Sequence, residues 1–530
     1  MNSLNSSFKV EFKETELKQT FSKAPSRQQS QIYISQLSEA SNQDITFSEE
    51  LPQEDGNEIF DKSFNSHEIN TETQDNEDQL YYYPKVIDVN RNNLVLKRHF
   101  SKIDYKGSST EFQSFLLLAK YFFSVGILAL PYVYNLTGLV LGSALLIFTS
   151  VFTVYSIHLV IEIHKDMILK NEQQRVYVKL NASITDIAHK VYGVPGQMFC
   201  RVFGLINNLG GCISYVIFFE MYIIQIIQTY LIKNLSYEQA HLIAALVAFA
   251  ILFPFSTVNH LSLFWQTNLI GFFFGLIGIG IMFYTDLNFI SEVGTLSRQK
   301  NDLWRTDHFF LALGIVVYSL QIIPVALNVR DCMEKPHKFL PVFQFSTAFT
   351  CSIYLMFGIV GHLAMGEYVD GIVLINFAPQ TLKGMLARLL YTISVLLSYP
   401  LKFYVVIQLY ENLKCFKEKI FCQERYDKSD YKTLFNAQMA IAKRYICRYG
   451  LILFIFIISL LTVKLAKIIS LLGSFAILIL QFIIPQLCYM KYFNVSLSRK
   501  IYGYSICFIF LIASILGVYK SIESLFFSEL

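Results

Sequence analysis

Two prolines lie inside long apolar stretches, and the backbone in front of each is the first chemistry the sequence offers. In Ser124-Val125-Gly126-Ile127-Leu128-Ala129-Leu130-Pro131, the proline has no N–H to donate, and its ring clashes with the carbonyl four residues back, at Ile127. A helix is expected to break near Val125 to Ile127. Tyr318-Ser319-Leu320-Gln321-Ile322-Ile323-Pro324 repeats the arrangement, with Pro324 freeing the carbonyl of Leu320. At membrane depth, uncovered carbonyls and amides persist only where they line a cavity or meet a ligand. A kink that serves packing alone is the competing account of either proline. Its matched recurrence in both halves of the chain weighs against that account.

Other polar groups in apolar surroundings are candidates for the same site. Asn207 and Asn208, beside Gly210 and Gly211, place amides next to a small-residue surface, which suits ligand binding or interhelical hydrogen bonding. Glu220, His158 with Glu162, and Lys402 are ionisable groups of the kind that face a cavity or a partner. His158 and Glu162 are spaced to pair at i,i+4 near an interface, and the long stem of Lys402 allows it to snorkel to the cytosolic side. Among nine cysteines, Cys415 and Cys422 lack zinc-type spacing to further ligands, so no metal site and no disulfide framework is expected. No H-E-x-x-H, G-x-S-x-G or G-x-x-x-x-G-K-[ST] string occurs, so no catalytic residues, cofactor or nucleotide-driven pump is implied.

The elements that carry these residues are membrane helices. Of 530 residues, 53% are hydrophobic and 16% charged, and the mean hydropathy is +0.42, which calls for a lipid solvent. A hydrocarbon core about 30 Å thick needs roughly 20 apolar residues per helix. That criterion gives eleven spans, near 113–135, 138–163, 198–231, 239–258, 261–284, 307–328, 341–364, 382–410, 446–463, 468–490 and 501–520. The loops 165–196, 330–340, 411–448 and 491–500 together hold 20 Lys and Arg, against 7 in 232–238, 286–305, 365–383 and 464–467. The basic loops belong in the cytosol, so the N-terminus is inside and, with an odd count, Leu530 is on the other face. Residues 1–108 are polar, acidic between Asp44 and Asp78, and lack a long apolar run, which reads as a disordered cytosolic tail. Residues 109–522 form the transmembrane domain, and 523–530 a short C-terminal tail.

Interrupted helices opening the first and second groups of five spans point to an inverted-repeat transporter with its site at the midplane. Four segments add a family resemblance: STEFQSFLLLAKYFFSVGILALP from Ser109 to Pro131, NLGGCISY from Asn208 to Tyr215, Phe310 to Phe339 ending in DCMEKPHKF, and Gly358 to Leu374 followed by SYPLKFYV from Ser398. In this order, over roughly residues 108–522, they resemble the amino acid/auxin permease family, and its proton-coupled and vacuolar amino-acid transporter branches in particular. The resemblance implies an all-α membrane protein with eleven helices, a LeuT-like 5+5 inverted repeat, and neutral amino-acid substrates. It places the substrate at the broken helices, on Ser124, Val125, Gly126, Ile127, Tyr318, Ser319 and Gln321, with Asn208 alongside. A half-helix N-terminus suits the substrate carboxylate, and freed carbonyls suit its ammonium.

The chain also departs from that family. Tyr121 and Ser124 stand where Gly is common, and Leu117 and Gln321 stand where the proton-coupled branch has His and Glu. Lys402 replaces a common Gln, so its ammonium is a coupling candidate that stands in for a cation or titrates. The expected function is secondary active transport of small neutral amino acids, coupled to protons or to no ion, with sodium disfavoured. The partners are then the amino-acid substrate and the lipid bilayer, without nucleic acid. The membrane is vacuolar, lysosomal or plasma membrane. A transporter-like sensor with little flux is the main alternative, and a channel the second.

Overall fold

The computed structural model describes residues 85–88, 97–100, 109–173, 183–231, 236–256, 262–295, 303–377, 381–411, 431–461 and 464–526. Most of the stretch read as a tail, 1–108, lies outside these residues. Its described part is an antiparallel pair, β1 (Lys85–Asp88) and β2 (Lys97–Phe100), in register Lys85 to Phe100.

All else that is regular is helical. In chain order the helices are α1 (Glu111–Phe122), α2 (Leu130–Thr137), α3 (Leu139–Gln173), α4 (Ile184–Ile226), α5 (Tyr237–Ser256), α6 (Ser262–Val293) and α7 (Phe309–Ser319). There follow α8 (Ile323–Cys332), α9 (Phe339–Met365), α10 (Leu382–Glu411), α11 (Tyr431–Leu461), α12 (Leu465–Leu472), α13 (Ile484–Tyr492) and α14 (Leu497–Phe526). Over its described residues, each of the eleven apolar stretches picked from the sequence falls mainly on helix, the first and sixth with an interruption. Nine spans among the described residues are long and apolar enough to cross a membrane. The bent pair Glu111–Phe122 with Val125–Thr137 makes a tenth if taken as one, and Tyr445–Leu461 is a shorter apolar helix. α14 runs on to Phe526, past the boundary expected at 522.

Local chemistry sets the ends. Thr110 caps α1 by accepting from the Gln113 amide at 3.2 Å, while the Gln113 side chain accepts from the Thr110 amide at 3.0 Å, a reciprocal box that satisfies two orphan donors. α4 starts fourteen residues before the span expected at 198, and it bends at Gly193, whose φ of 70° only glycine adopts freely, just ahead of Pro195.

Burial separates a centre from a periphery. The apolar windows of Phe309–Cys332 and Leu465–Tyr492 are each 83% buried, against 33% for Tyr237–Pro254 and 39% for Leu497–Phe526. The first two therefore form the core, and the others turn residues such as Leu246, Phe508 and Ile509 outward, as a lipid-facing surface requires. At the core α7 meets the π-helical turn Gly473–Ile477 that follows α12, where a Cβ on Gly473 would overlap the carbonyl of Gly314, so only glycine permits the approach. At one end of the bundle, Ser109 is clasped to the end of α8. Its amide donates to the Cys332 carbonyl at 3.0 Å, its carbonyl accepts from the Glu334 amide at 2.9 Å, and Lys338 pairs with Glu111 at 2.8 Å.

Candidate functional site

Both expected interruptions are present, and each proline begins a helix rather than kinking one. α1 stops at Phe122, Ser124 is extended at φ −108° and ψ −179°, and a 3-10 turn over Val125–Ala129 leads into α2, with Pro131 in its first turn. The bend is 49°. The opening thus starts at Phe123 and Ser124, slightly ahead of the Val125 to Ile127 expected from the proline clash, because the tighter turn carries the chain to Pro131. In the second interruption α7 stops at Ser319 and α8 starts at Ile323, with Pro324 in its first turn, where a missing N–H costs nothing.

The two interruptions touch. A Cβ added to Gly126 would lie 2.5 Å from the Ser319 Oγ and 3.0 Å from its Cα, so the first turn reaches the second break only because residue 126 has no side chain. Val125, Ile127, Tyr318 and Leu320 are fully buried. The buried polar atoms on these segments with no hydrogen-bond partner include Ser124 Oγ and Gln321 Oε1. In a site otherwise rich in satisfied polar groups, such atoms are the ones free to meet a ligand.

Side chains from three further helices satisfy the freed backbone, and the sequence reading singled out none of them. The Tyr354 hydroxyl on α9 lies 2.5 Å from the Phe122 carbonyl and 3.3 Å from that of Ser319, so one hydroxyl serves both breaks. Tyr391 on α10 donates to the Ser124 carbonyl at 2.9 Å. Gln481, in the π-helical turn Ile479–Ile483 before α13, spans the second break: its Nε2 donates to the Leu320 carbonyl at 3.0 Å, and its Oε1 accepts from the Ile322 amide at 3.0 Å. The same Nε2 donates to Thr153 Oγ1 at 2.9 Å, and Ser156 of α3 donates to the Gln481 backbone carbonyl. The freed carbonyl of Leu320 was legible from Pro324. Its partner, 161 residues away, was not.

Lys402 of α10 points into the bundle. Its Nζ lies 4.7 Å from the Tyr215 ring centroid and 5.7 Å from that of Tyr318, a cation–π arrangement, with its stem packed on Gly211. It therefore does not snorkel to an interface. Nor does it sit on the first-helix carbonyls, which Tyr354 and Tyr391 occupy. A second ammonium, Lys120 of α1, is also buried and donates to Ser394 Oγ of α10 at 3.2 Å. Asn208 turns back on its own helix, donating to the Gly204 carbonyl at 2.8 Å, while Asn207 Oδ1 is buried and unpartnered. His158 and Glu162 pair at 3.4 Å, part-exposed, as the i,i+4 spacing suggests. They line a cavity of about 350 Å³ with Lys165, His337 and Tyr489, which lies apart from the two breaks. Among the described residues, no group of three His, Cys, Asp or Glu side chains could hold a metal ion.

Residues 107–523 match the family described as transmembrane amino acid transporter protein. The chain is 24% identical to vacuolar amino acid transporter 4 of Saccharomyces cerevisiae over 73% of this chain and 53% of that protein. It is 22% identical to amino acid transporter AVT3C of Arabidopsis thaliana over 79% and 92% of the two chains. It is also 22% identical to the proton-coupled amino acid transporter-like protein pathetic of Drosophila melanogaster, over 73% and 78%. The chain spans about half the length of the fungal vacuolar relatives it matches.

Proposed function

The chain belongs to the transmembrane amino acid transporter family, whose members are transporters rather than enzymes, and on that premise we propose that it is a secondary active carrier of small neutral amino acids. The observation that carries this reading is the contact of the two breaks at Gly126 and Ser319, with Ser124 Oγ and Gln321 Oε1 left without partners beside them. A zwitterion seated there meets half-helix ends and uncommitted polar atoms, while the surrounding side chains set its size. Ser124, Val125, Gly126, Ile127, Tyr318, Ser319 and Gln321 make the contacts, with Asn208 on the adjoining helix. In this reading the nine spans, the bent pair and Tyr445–Leu461 count as eleven helices, ten of them in two inverted repeats of five.

The basic loops favour an N-terminus in the cytosol, with the polar stretch ahead of the first span on that side. The relatives named as vacuolar favour a vacuolar or lysosomal membrane. Lys402 supplies a fixed positive charge beside Tyr318, a role a bound cation would otherwise fill, so transport does not need sodium. The test is uptake of labelled neutral amino acids into proteoliposomes under imposed pH or sodium gradients. Saturable uptake, unchanged when sodium is removed and lost or altered in its pH profile in Lys402→Gln, is expected. Binding without flux would favour a sensor, and uptake that collapses without sodium would remove Lys402 from its role.

A further inference from the structure

Away from the two breaks, three helices bring together a second set of ionisable groups. Glu220 of α4 is 1% exposed; its Oε1 accepts from the Ser459 hydroxyl of α11 at 2.7 Å, and its Oε2 faces the His241 Nε2 of α5 at 3.6 Å. Among the described residues Glu220 has no other ion pair, and its Oε2 and the His241 Nε2, just beyond hydrogen-bond distance of each other, make no hydrogen bond. Ile224, Ile227, Ala240 and Ala244 form a separate apolar cluster against the same seam of α4 and α5. Tyr237 meets the pair directly, while Arg388 and Lys467, on helices packed against α4, bond to other groups. Tyr237 stacks on the His241 ring at 6.3 Å, and Arg388 of α10 is bound to Gln225 of α4 at 2.5 Å and to the Ile375 carbonyl at 3.0 Å. Lys467 of α12 donates to the Ser524 carbonyl at 2.6 Å.

The proton count of such a pair is constrained by its surroundings. With one proton on the two groups the pair is neutral overall, as carboxylic acid with imidazole or carboxylate with imidazolium. With none it carries a bare carboxylate, and with two a bare imidazolium, and either is costly in an apolar site. Histidine is the side chain whose ordinary titration falls at physiological pH, so the pair can gain and lose that proton when water reaches it. We propose that Glu220, His241 and Ser459 form an intramembrane proton-binding site that couples the carrier to a proton gradient. The proton passes between Glu220 Oε2 and His241 Nε2, while the Ser459 hydroxyl holds the other carboxylate oxygen. His241 lies one turn into α5, beside the exposed Tyr237 at its start. In the proposed topology that end faces the non-cytosolic side, so the site loads from there. α4 also carries Phe218, whose ring meets Tyr391 at 5.9 Å, and Tyr391 holds the Ser124 carbonyl at the first break. Movement of α4 on protonation therefore reaches the substrate site.

This inference rests on the carrier reading, and two measurements on the full chain in lipid vesicles separate the two claims. The first records proton movement with a trapped pH dye alongside amino-acid uptake. Wild type is expected to move protons with substrate, Glu220→Gln to lose that movement, and His241→Gln to shift the pH midpoint of uptake by about one unit. The second is an infrared titration of substrate-free protein between about pH 5 and 8. A carboxyl band that titrates in wild type, vanishes in Glu220→Gln and shifts in His241→Gln assigns the proton to this pair. Proton movement in Glu220→Gln at the wild-type ratio to substrate, or no titrating band assignable to Glu220, overturns the site and leaves the carrier standing. Absence of uptake by wild type overturns the carrier reading, and the infrared titration then decides the site alone. If Glu220→Gln fails to fold, the band and its shift in His241→Gln decide it.

Discussion

Gly126 is the residue on which most of the site converges. Its missing side chain is filled by Ser319, so a valine there would drive the first turn off the second break. Overpacking of this kind costs about 1–3 kcal/mol, which a protein of this size absorbs. Gly126→Val is expected to abolish uptake while its melting temperature and membrane placement stay close to wild type. Unchanged uptake by that variant would remove the first helix from the site. The breaks themselves were legible because proline acts through its own backbone, a local rule that sequence displays. The tyrosines that complete them were not legible, since Tyr354 and Tyr391 look like ordinary aromatic residues of apolar spans. Lys402 was legible as an anomaly, but its bearing was not. Burial depth and the aromatic faces of Tyr215 and Tyr318 are set by three helices at once.

Helices supply what the local rules leave open. A helix that stops inside the bundle exposes orphan carbonyls and amides, and in this protein another helix must cover them. Gln481 does so for the second break, and the π-helical turn that carries it is a distortion often met at functional positions. Gln481→Leu would orphan the Leu320 carbonyl and the Ile322 amide, at about 1–3 kcal/mol for each group. The variant is expected to melt below wild type and to transport more slowly, read by thermal unfolding in detergent and by initial uptake rate. Melting that coincides with wild type would show that the break is held by something else. The apolar centres of the spans were readable, because apolar length is a sum over many residues, but the polar extensions of α3 to Gln173, α6 to Val293 and α11 from Tyr431 were not. The early start of α4 was not, since its first turns mix polar and apolar residues and fall below any hydropathy criterion.

For the molecule as a whole, the proposed orientation rests on the asymmetry of 20 basic residues against 7. Accessibility labelling is expected to find the N-terminal stretch and residue 530 on opposite faces of the membrane. Both ends on one face would overturn the odd helix count. Composition foretold a lipid solvent, but it could not foretell which spans form the centre, since Phe309–Cys332 and Leu497–Phe526 share a mean hydropathy of 2.2 while 83% of one window and 39% of the other are buried. The clasp at Ser109 has its consequence at this scale too. It fastens the far end of α1 to the far end of α8, while at the breaks Tyr354 holds the end of α1 at Phe122 beside the end of α7 at Ser319. One half-helix from each break is thus tied to the other at its far end. A pull on the chain at residue 109 therefore reaches the first break through α1 and the second through α8.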